Sequence, residues 1–367
     1  MIGTSWYSKP STQEENRSFY YNRRDAFMNI RIVIILFYLL ITLVIGIVFR
    51  RKSSHDRIEF FLAGRNLSGP LLFFTMAASN FSAFTIFGLS GAGYRIGYAF
   101  YPVMGFGTGF MALSMYLVGS KLIPLARKHG FITPSDYIQH RFDSPFLSKL
   151  VSTIMVIFTL PYLALQAIAA GGSLQSLTGL PYAAGTAIIT GFVVVYVTLG
   201  GLHSIVWTDF LQGLMMIVLT VIAFGLIASK TGGFIQTHTD MSNTFPGLFN
   251  RPGFDSSMGP GIWFGYIFLW FFSVPFTPHL FQRFIAAKNQ KSLRTTVILY
   301  PLITTALFFF TVSIGVMGRA TFPGLETASS DTIFPLLLGR YTSLIGSTGL
   351  LTGSIAALMS KMDAQLL

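Results

Sequence analysis

Lys361 stands inside the apolar run "SIAALMSKMDAQLL" (354 to 367). A basic side chain in a hydrocarbon-spanning helix is costly and marks a functional position by default. Its ammonium is a compact cation with three donors and no acceptor. Such a group can take the place of a bound ion, exchange a proton, or stretch its stem and carry its charge to the cytoplasmic surface. Two acids lie in or at the edge of apolar runs, Asp209 in "WTDFLQ" and Asp363. Residues two apart on a helix do not face each other, so Asp209 is the expected partner of Lys361. Burial and a neighbouring carboxylate act on such an amine in opposite senses, which is the balance a proton-coupling group needs.

Other chemistries find little support. The sequence has no cysteine, which excludes disulfides, thiol catalysis and cysteine-ligated metals. The histidines, His55, His129, His140, His203, His238 and His279, fall at the ends of apolar runs or between them, without an HExxH pattern. No transition-metal site and no cofactor are expected. Paired carboxylates, a nucleophile with its base and a cofactor loop are all missing, so the chain does not read as an enzyme. "GFGTGF" (105 to 110) imitates a nucleotide loop but sits inside an apolar run with no strand before it. Close helix packing through glycine explains it better.

The elements that must position these residues follow from composition. Just over half of the residues are apolar (52%), a tenth are charged, and the mean hydropathy is +0.62. These values fit a polytopic, all-α membrane protein. The net charge of +12 comes from short basic clusters between apolar runs. A nucleic-acid partner would instead need that charge on one face, so the lipid bilayer is the expected environment.

Runs long enough to cross about 30 Å of hydrocarbon fall at 30 to 49, 70 to 90, 98 to 120, 150 to 177, 182 to 199, 204 to 228, 260 to 280, 295 to 318 and 344 to 367. A polar tail, 1–29, precedes them and carries an "NRS" sequon at 16. No cleavable signal is evident, and the first apolar run is expected to be retained. Cytoplasmic loops are enriched in Lys and Arg. Arg50, Arg51, Lys52, Arg57 and Arg65, then Lys121, Arg127, Lys128, Arg141 and Lys149, then Arg283, Lys288, Lys291 and Arg294 occupy one alternating set of loops. The N-terminus is therefore expected outside a multi-pass cell-membrane protein, although Arg17, Arg23, Arg24 and Arg31 argue the other way.

Two runs carry residues that interrupt a simple helix. "TMAASNFSAFTIFGLSG" (75 to 91) has small and polar residues at its middle, and "FLWFFSVPFTPHLFQRF" (268 to 284) has Pro275 and Pro278. Interrupted spans at corresponding places in two halves point to a transporter site at the bilayer midplane, where freed carbonyls line a cavity. Proline and glycine are also common in ordinary membrane helices, so neither interruption decides alone.

Seven blocks in order carry a family resemblance: "FFLAGRNLSG" (60 to 69), "AASNFSAFTIFGLSGAGYRIG" (77 to 97), "ITPSDYIQHRF" (132 to 142), "LPYLALQAIAAGG" (160 to 172), "GGLHSIVWTDFLQG" (200 to 213), "PHLFQRFIAAKNQKS" (278 to 292) and "AALMSKMDAQLL" (356 to 367). The chain resembles the sodium:solute symporters, carriers of sugars, proline, sialate and pantothenate. The resemblance implies an inverted-repeat transporter fold of five plus five helices behind an extra N-terminal helix, working by alternating access. Residues 30–367 would form one transmembrane domain of about nine helices. In it, 30–49 is the extra helix, 70–228 the first repeat and 260–367 a second repeat lacking its last helices. Missing C-terminal helices or a partner chain would then complete the fold.

In similar symporters a sodium ion sits between the unwound first core helix and the eighth, and hard cations take oxygen ligands. Matched motif to motif, the carbonyl donors would be Ala78, Phe81 and Ala357, with Ser360 as one hydroxyl. The second hydroxyl position is Lys361. Its ammonium would displace sodium, so coupling to protons, or none to sodium, is one expectation; a damaged site and a surface-reaching lysine are the others. Asp209 matches a family aspartate near an additional sodium position. The resemblance places the solute beside the ion, with Asn80, Ser82, Gln166, Trp270 and Ser273 as candidate contacts. These groups suit a small neutral or zwitterionic solute, or an anion if Lys361 takes part. The expected function is cation-coupled secondary transport of a small solute. The alternative is a non-transporting fragment, sensor or interaction subunit.

Overall fold

Two apolar runs stop being helical where their sequences carry hydroxyls or prolines, and these two breaks organise the molecule. The computed structural model describes residues 12–49 and 56–367, with backbone alone for 12–29. Its helices, in chain order, are α1 (Thr12–Val48), α2 (Arg57–Leu62), α3 (Gly69–Asn80), α4 (Leu89–Arg95), α5 (Tyr101–His129), α6 (Pro134–Phe142) and α7 (Pro145–Thr178). There follow α8 (Tyr182–Lys230), α9 (Phe234–Thr244), α10 (Pro260–Ser273), α11 (Pro278–Ala286), α12 (Gln290–Thr321), α13 (Ile333–Tyr341) and α14 (Leu344–Leu366). Among the described residues the one strand-like feature is an isolated parallel bridge between Leu67 and Ala287.

Among the described residues, five stretches are long and apolar enough to cross a membrane: Ile30–Val48 of α1, Gly97–His129, α7, α8 and α12. Two bent pairs raise the number to seven if each is one span, α3 with Phe84–Arg95 at 72° and Pro260–Phe276 with α11 at 60°. The expected segments 182 to 199 and 204 to 228 fall on α8, which is broken inside at Gly201 (φ 55°, ψ −153°). A Cβ at Gly201 would lie 2.5 Å from the Phe60 carbonyl oxygen, so the kink needs glycine. The segment 344 to 367 is α14, buried from Leu350 to Ala364 except at Leu351.

Two elements depart from the loop-charge reading. Helix α5 runs on to His129, so Lys121, Arg127 and Lys128 ride its last turns and are not in a loop. Arg283 lies on α11 and is fully buried, because the 60° bend turns that helix back into the protein. The side chains of Arg17, Arg23 and Arg24, and residues 1–11 and 50–55 entirely, lie outside the described residues; so does the sequon side chain at 16.

The centre of the bundle is α14, packed on α8, α7 and α3, with α12 against α4 and α5. Helices α4 and α12 approach through glycine: a Cβ at Gly315 would stand 1.9 Å from the Ser90 carbonyl oxygen. On the outside, Phe106, Ile157, Phe158, Phe268, Phe272 and Leu302 are exposed apolar side chains on α5, α7, α10 and α12. A surface of this kind is matched by lipid and not by water.

Candidate functional site

Helix α3 ends at Asn80, and Phe81 is extended (φ −71°, ψ 146°). A continuing helix would pair the Ser82 amide with the Ala78 carbonyl. That amide donates instead to Thr85 Oγ1 at 3.2 Å, and the Phe84 amide donates to Ser82 Oγ at 3.2 Å. Side-chain hydroxyls thus satisfy the donors at the break, and the Ala78 carbonyl is relieved of its helical partner.

Beside this break lies a cavity of about 730 Å³. Its wall includes Asn80, Ser82 and Thr85 from the break, Thr108 and Met111 from α5, Tyr162 from α7, and Tyr266 and Trp270 from α10. Asn80 Nδ2 donates to the Tyr300 hydroxyl and lies 3.7 Å from Met111 Sδ. Gly107 lets the Trp270 ring come within 3.0 Å of where a Cβ would be, so one glycine of "GFGTGF" serves to seat an aromatic in the wall. The buried Nε1 of Trp270 has no hydrogen-bond partner among the described residues.

A second, closed cluster lies where α3, α8, α11 and α14 meet. Asp209 accepts from Thr75 Oγ1 at 2.5 Å through Oδ2 and from Ser360 Oγ through Oδ1. Arg283 Nη2 pairs with Asp209 Oδ2 at 3.5 Å, without hydrogen-bond geometry. The same guanidinium donates from Nε to Thr75 Oγ1 (3.3 Å) and from Nη1 to the His279 carbonyl (3.2 Å). Both ions are wholly buried. A pair this deep repays its desolvation only through such added hydrogen bonds.

Lys361 is 2% exposed, so its ammonium does not reach the surface. Its Nζ meets His279 Nε2 at 3.1 Å and lies 5.0 Å from the centroid of the Tyr162 ring. Asp209, the expected partner of Lys361, is taken by Arg283. The reason is the bend before α11: His279 and Arg283, four residues apart, share one face, and that face turns toward α8 and α14 together. Asp363 accepts a hydrogen bond from the Tyr196 hydroxyl at 2.6 Å.

The sequence candidates therefore divide. Ala78 and Phe81 are buried at the end of α3, and Ala357, Ser360 and Lys361 on the buried face of α14, which packs on α3. Asn80, Ser82 and Trp270 come together in the cavity wall. Gln166 is buried and is not among the cavity-lining residues; its Nε2 donates to the Tyr162 carbonyl (3.4 Å) and its Oε1 has no partner among the described residues. Ser273 is not among the cavity-lining residues; it ends α10, and its carbonyl accepts from Thr277 Oγ1 at 3.0 Å. Sequence reasoning missed Thr75, His279, Arg283 and Tyr300. A signal existed for two of them: "PHLFQR" begins with a proline suited to the first turn of a helix, which puts His279 and Arg283 on one face.

The model of the Sodium:solute symporter family matches residues 60–367. The chain is 27% identical over 332 residues to the sodium/pantothenate symporter of Escherichia coli (strain K12), covering 90% of this chain and 68% of that protein. It is 28% identical over 326 residues to the high-affinity proline transporter PutP of Bacillus subtilis (strain 168), covering 87% and 68%. The chain thus spans about two thirds of the length of these relatives. In fold it is similar to a substrate-bound, outward-open Na+-coupled sialic acid symporter, with a TM-score of 0.80 at 21% identity over 92% of this chain and 71% of that one.

Proposed function

Because the chain belongs to the sodium:solute symporter family, we propose that it is a cation-coupled secondary transporter that moves a small solute across a membrane by alternating access. The observation that carries this reading is the break in α3. One interruption both relieves the Ala78 carbonyl of its helical donor and turns Asn80, Ser82 and Thr85 into the wall of a solute-sized cavity. On this reading the Ala78, Phe81 and Ala357 carbonyls and the Ser360 hydroxyl are oxygen ligands for a hard cation. Residues 70–228 and 260–367 belong to two repeats behind α1 as the extra helix, and the N-terminus is outside. Reconstituted liposomes loaded with the purified protein test the reading with labelled pantothenate and proline. Accumulation driven by an inward sodium or proton gradient supports it; uptake indifferent to both gradients, across these and a wider solute panel, removes it.

The position of Lys361 motivates a second reading of the coupling. Its amine lies against His279 and is next in sequence to the Ser360 ligand position, so in its protonated form it competes with a sodium ion for the same ground. Transport then runs on protons or without sodium. Sodium-gradient uptake that is strong in the parent and unchanged in Lys361→Thr excludes this second reading and leaves the first intact.

A further inference from the structure

The loop before α3 and the loop after α11 meet in the short parallel bridge, with the Leu67 amide on the Ala286 carbonyl (3.1 Å) and the Lys288 amide on the Leu67 carbonyl (2.9 Å). Beside it lies a cavity of about 320 Å³ that shares no lining residue with the cavity at the α3 break. Three fixed cations line it, Arg65, Arg127 and Lys288, together with Asn66, His203 and Glu59. Among the described lining residues Glu59 is the one acid, and its Oε2 already faces His203 Nε2 at 2.9 Å.

The backbone gathers these cations. Ala63, Gly64 and Arg65 are all left-handed (φ 48°, 63° and 54°), and only the middle one is glycine. Such a turn persists only where its surroundings hold it. Arg127 does so, donating through Nη2 alone to the carbonyls of Arg65 (3.1 Å), Ala287 (3.0 Å) and Lys288 (2.6 Å). One nitrogen anchors this exposed guanidinium, and its other two make no bond to the protein among the described residues. Lys288 enters the network through its backbone, and its side chain is exposed. Burial first, and the Arg127 charge second, push the Arg65 guanidinium down from its ordinary value. Like charges gathered without a matching number of acids favour a bound anion. Satisfying three carbonyls accounts for one nitrogen of Arg127; it leaves the other two and the Lys288 ammonium without a structural duty.

We propose that this cavity binds a phosphate group, carried by a soluble phosphomonoester or by an anionic lipid, through the remaining donors of Arg127, the Lys288 ammonium and the Asn66 amide. A guanidinium offers phosphate oxygens planar, charge-assisted bonds, and an ammonium adds a point charge. Occupancy ties the loop before α3 and the loop after α11, one from each broken span, to the end of α5. The inference does not depend on which solute the protein moves.

The test has one arm for each source of phosphate. In phosphatidylcholine nanodiscs at low ionic strength, where exposed charges are least screened, calorimetry and thermal unfolding follow titration with inorganic phosphate and glycerol 3-phosphate, with chloride at matched ionic strength as the control. Native mass spectrometry of the detergent-purified protein then compares retention of phosphatidylglycerol and phosphatidylcholine. The expected result is saturable one-to-one binding in at least one arm, weakened at least ~10-fold in Lys288→Gln and kept in Lys288→Arg. Lys288→Gln removes no hydrogen bond of the bridge, so its unfolding temperature without ligand is expected to equal that of the parent, which separates lost recognition from lost structure. Binding of either soluble probe assigns the site to a phosphomonoester. Preferential retention of phosphatidylglycerol, lost in Lys288→Gln and without soluble binding, assigns it to a lipid. An effect that chloride reproduces, the absence of binding in both arms, or binding that Lys288→Gln leaves unchanged overturns the inference.

Discussion

Two helices are broken at similar angles, 72° between α3 and α4 and 60° between α10 and α11, yet the breaks are built by different chemistry. At the first, hydroxyls of Ser82 and Thr85 take the orphaned amides, so backbone carbonyls are left available. At the second, Pro275 and Pro278 have no amide to orphan, and the Thr277 hydroxyl takes up the Ser273 carbonyl. The first break is neutral and opens on a cavity; the second carries His279 and Arg283 into a closed, charged cluster. A break that satisfies its donors is suited to bind a cation or a solute. One that satisfies its acceptors is suited to aim the helix that follows.

The most severe way to break this contrast is Arg283→Met, which leaves the buried Asp209 carboxylate without a counter-charge, held by the Thr75 and Ser360 hydroxyls alone. Loss of one partner of a buried pair costs about 3–5 kcal/mol, whereas removing both charges is close to neutral. Thermal unfolding in nanodiscs is expected to show a large loss for Arg283→Met and recovery of most of it in Arg283→Met with Asp209→Asn. Equal stability of the single variant and the parent would mean that the second break is not held by charge.

Next in size is Thr85→Val at the first break. It leaves the Ser82 amide without its acceptor, a cost of about 1–3 kcal/mol for a buried donor. Amide exchange at Ser82 should quicken, and uptake should fall as the wall of the cavity loosens. Unchanged exchange would show that the carbonyl at Ala78 takes the amide back, and the distinction between the two breaks would fail there.

How much of this contrast the sequence discloses follows from range. The break in α3 is legible because it is made by neighbours: "SNFSAFT" contains both the interruption and the hydroxyls that satisfy it. The break after α10 is legible as two prolines, but its direction is not. Arg283 reads as a loop charge because it follows an apolar run, and only the 60° turn reveals that it is buried. Lys361 is visible as an anomaly from its apolar surroundings. Its partner is not, since the choice between Asp209 and His279 depends on which helix faces α14, a contact across 82 residues. Local hydrogen bonding can be read from the chain, whereas charge pairing between distant helices requires the packing.

Lys361→Thr sharpens the comparison from the side of function. If the lysine holds the cation's ground, a hydroxyl in its place adds an oxygen ligand and removes a competing charge. Sodium stimulation of uptake should then appear at concentrations roughly 10-fold lower, equivalent to about 1.4 kcal/mol. No change in the sodium response of uptake would assign Lys361 to the structural cluster alone.

The smallest effect, and the one that isolates the second break, is Thr277→Val set beside Ser273→Ala. The Thr277 side chain serves the Ser273 carbonyl, so its loss leaves an acceptor at the end of α10 unserved at a cost of about 1 kcal/mol. The Ser273 side chain has no such duty: only its backbone takes part, and its replacement should stay within about 0.5 kcal/mol. If the reading of Ser273 as a solute contact were right instead, Ser273→Ala would lower uptake without touching stability, and Thr277→Val would do the opposite. Measured side by side, the pair decides whether the second break is a hinge that closes its own acceptors or a second wall of the solute site.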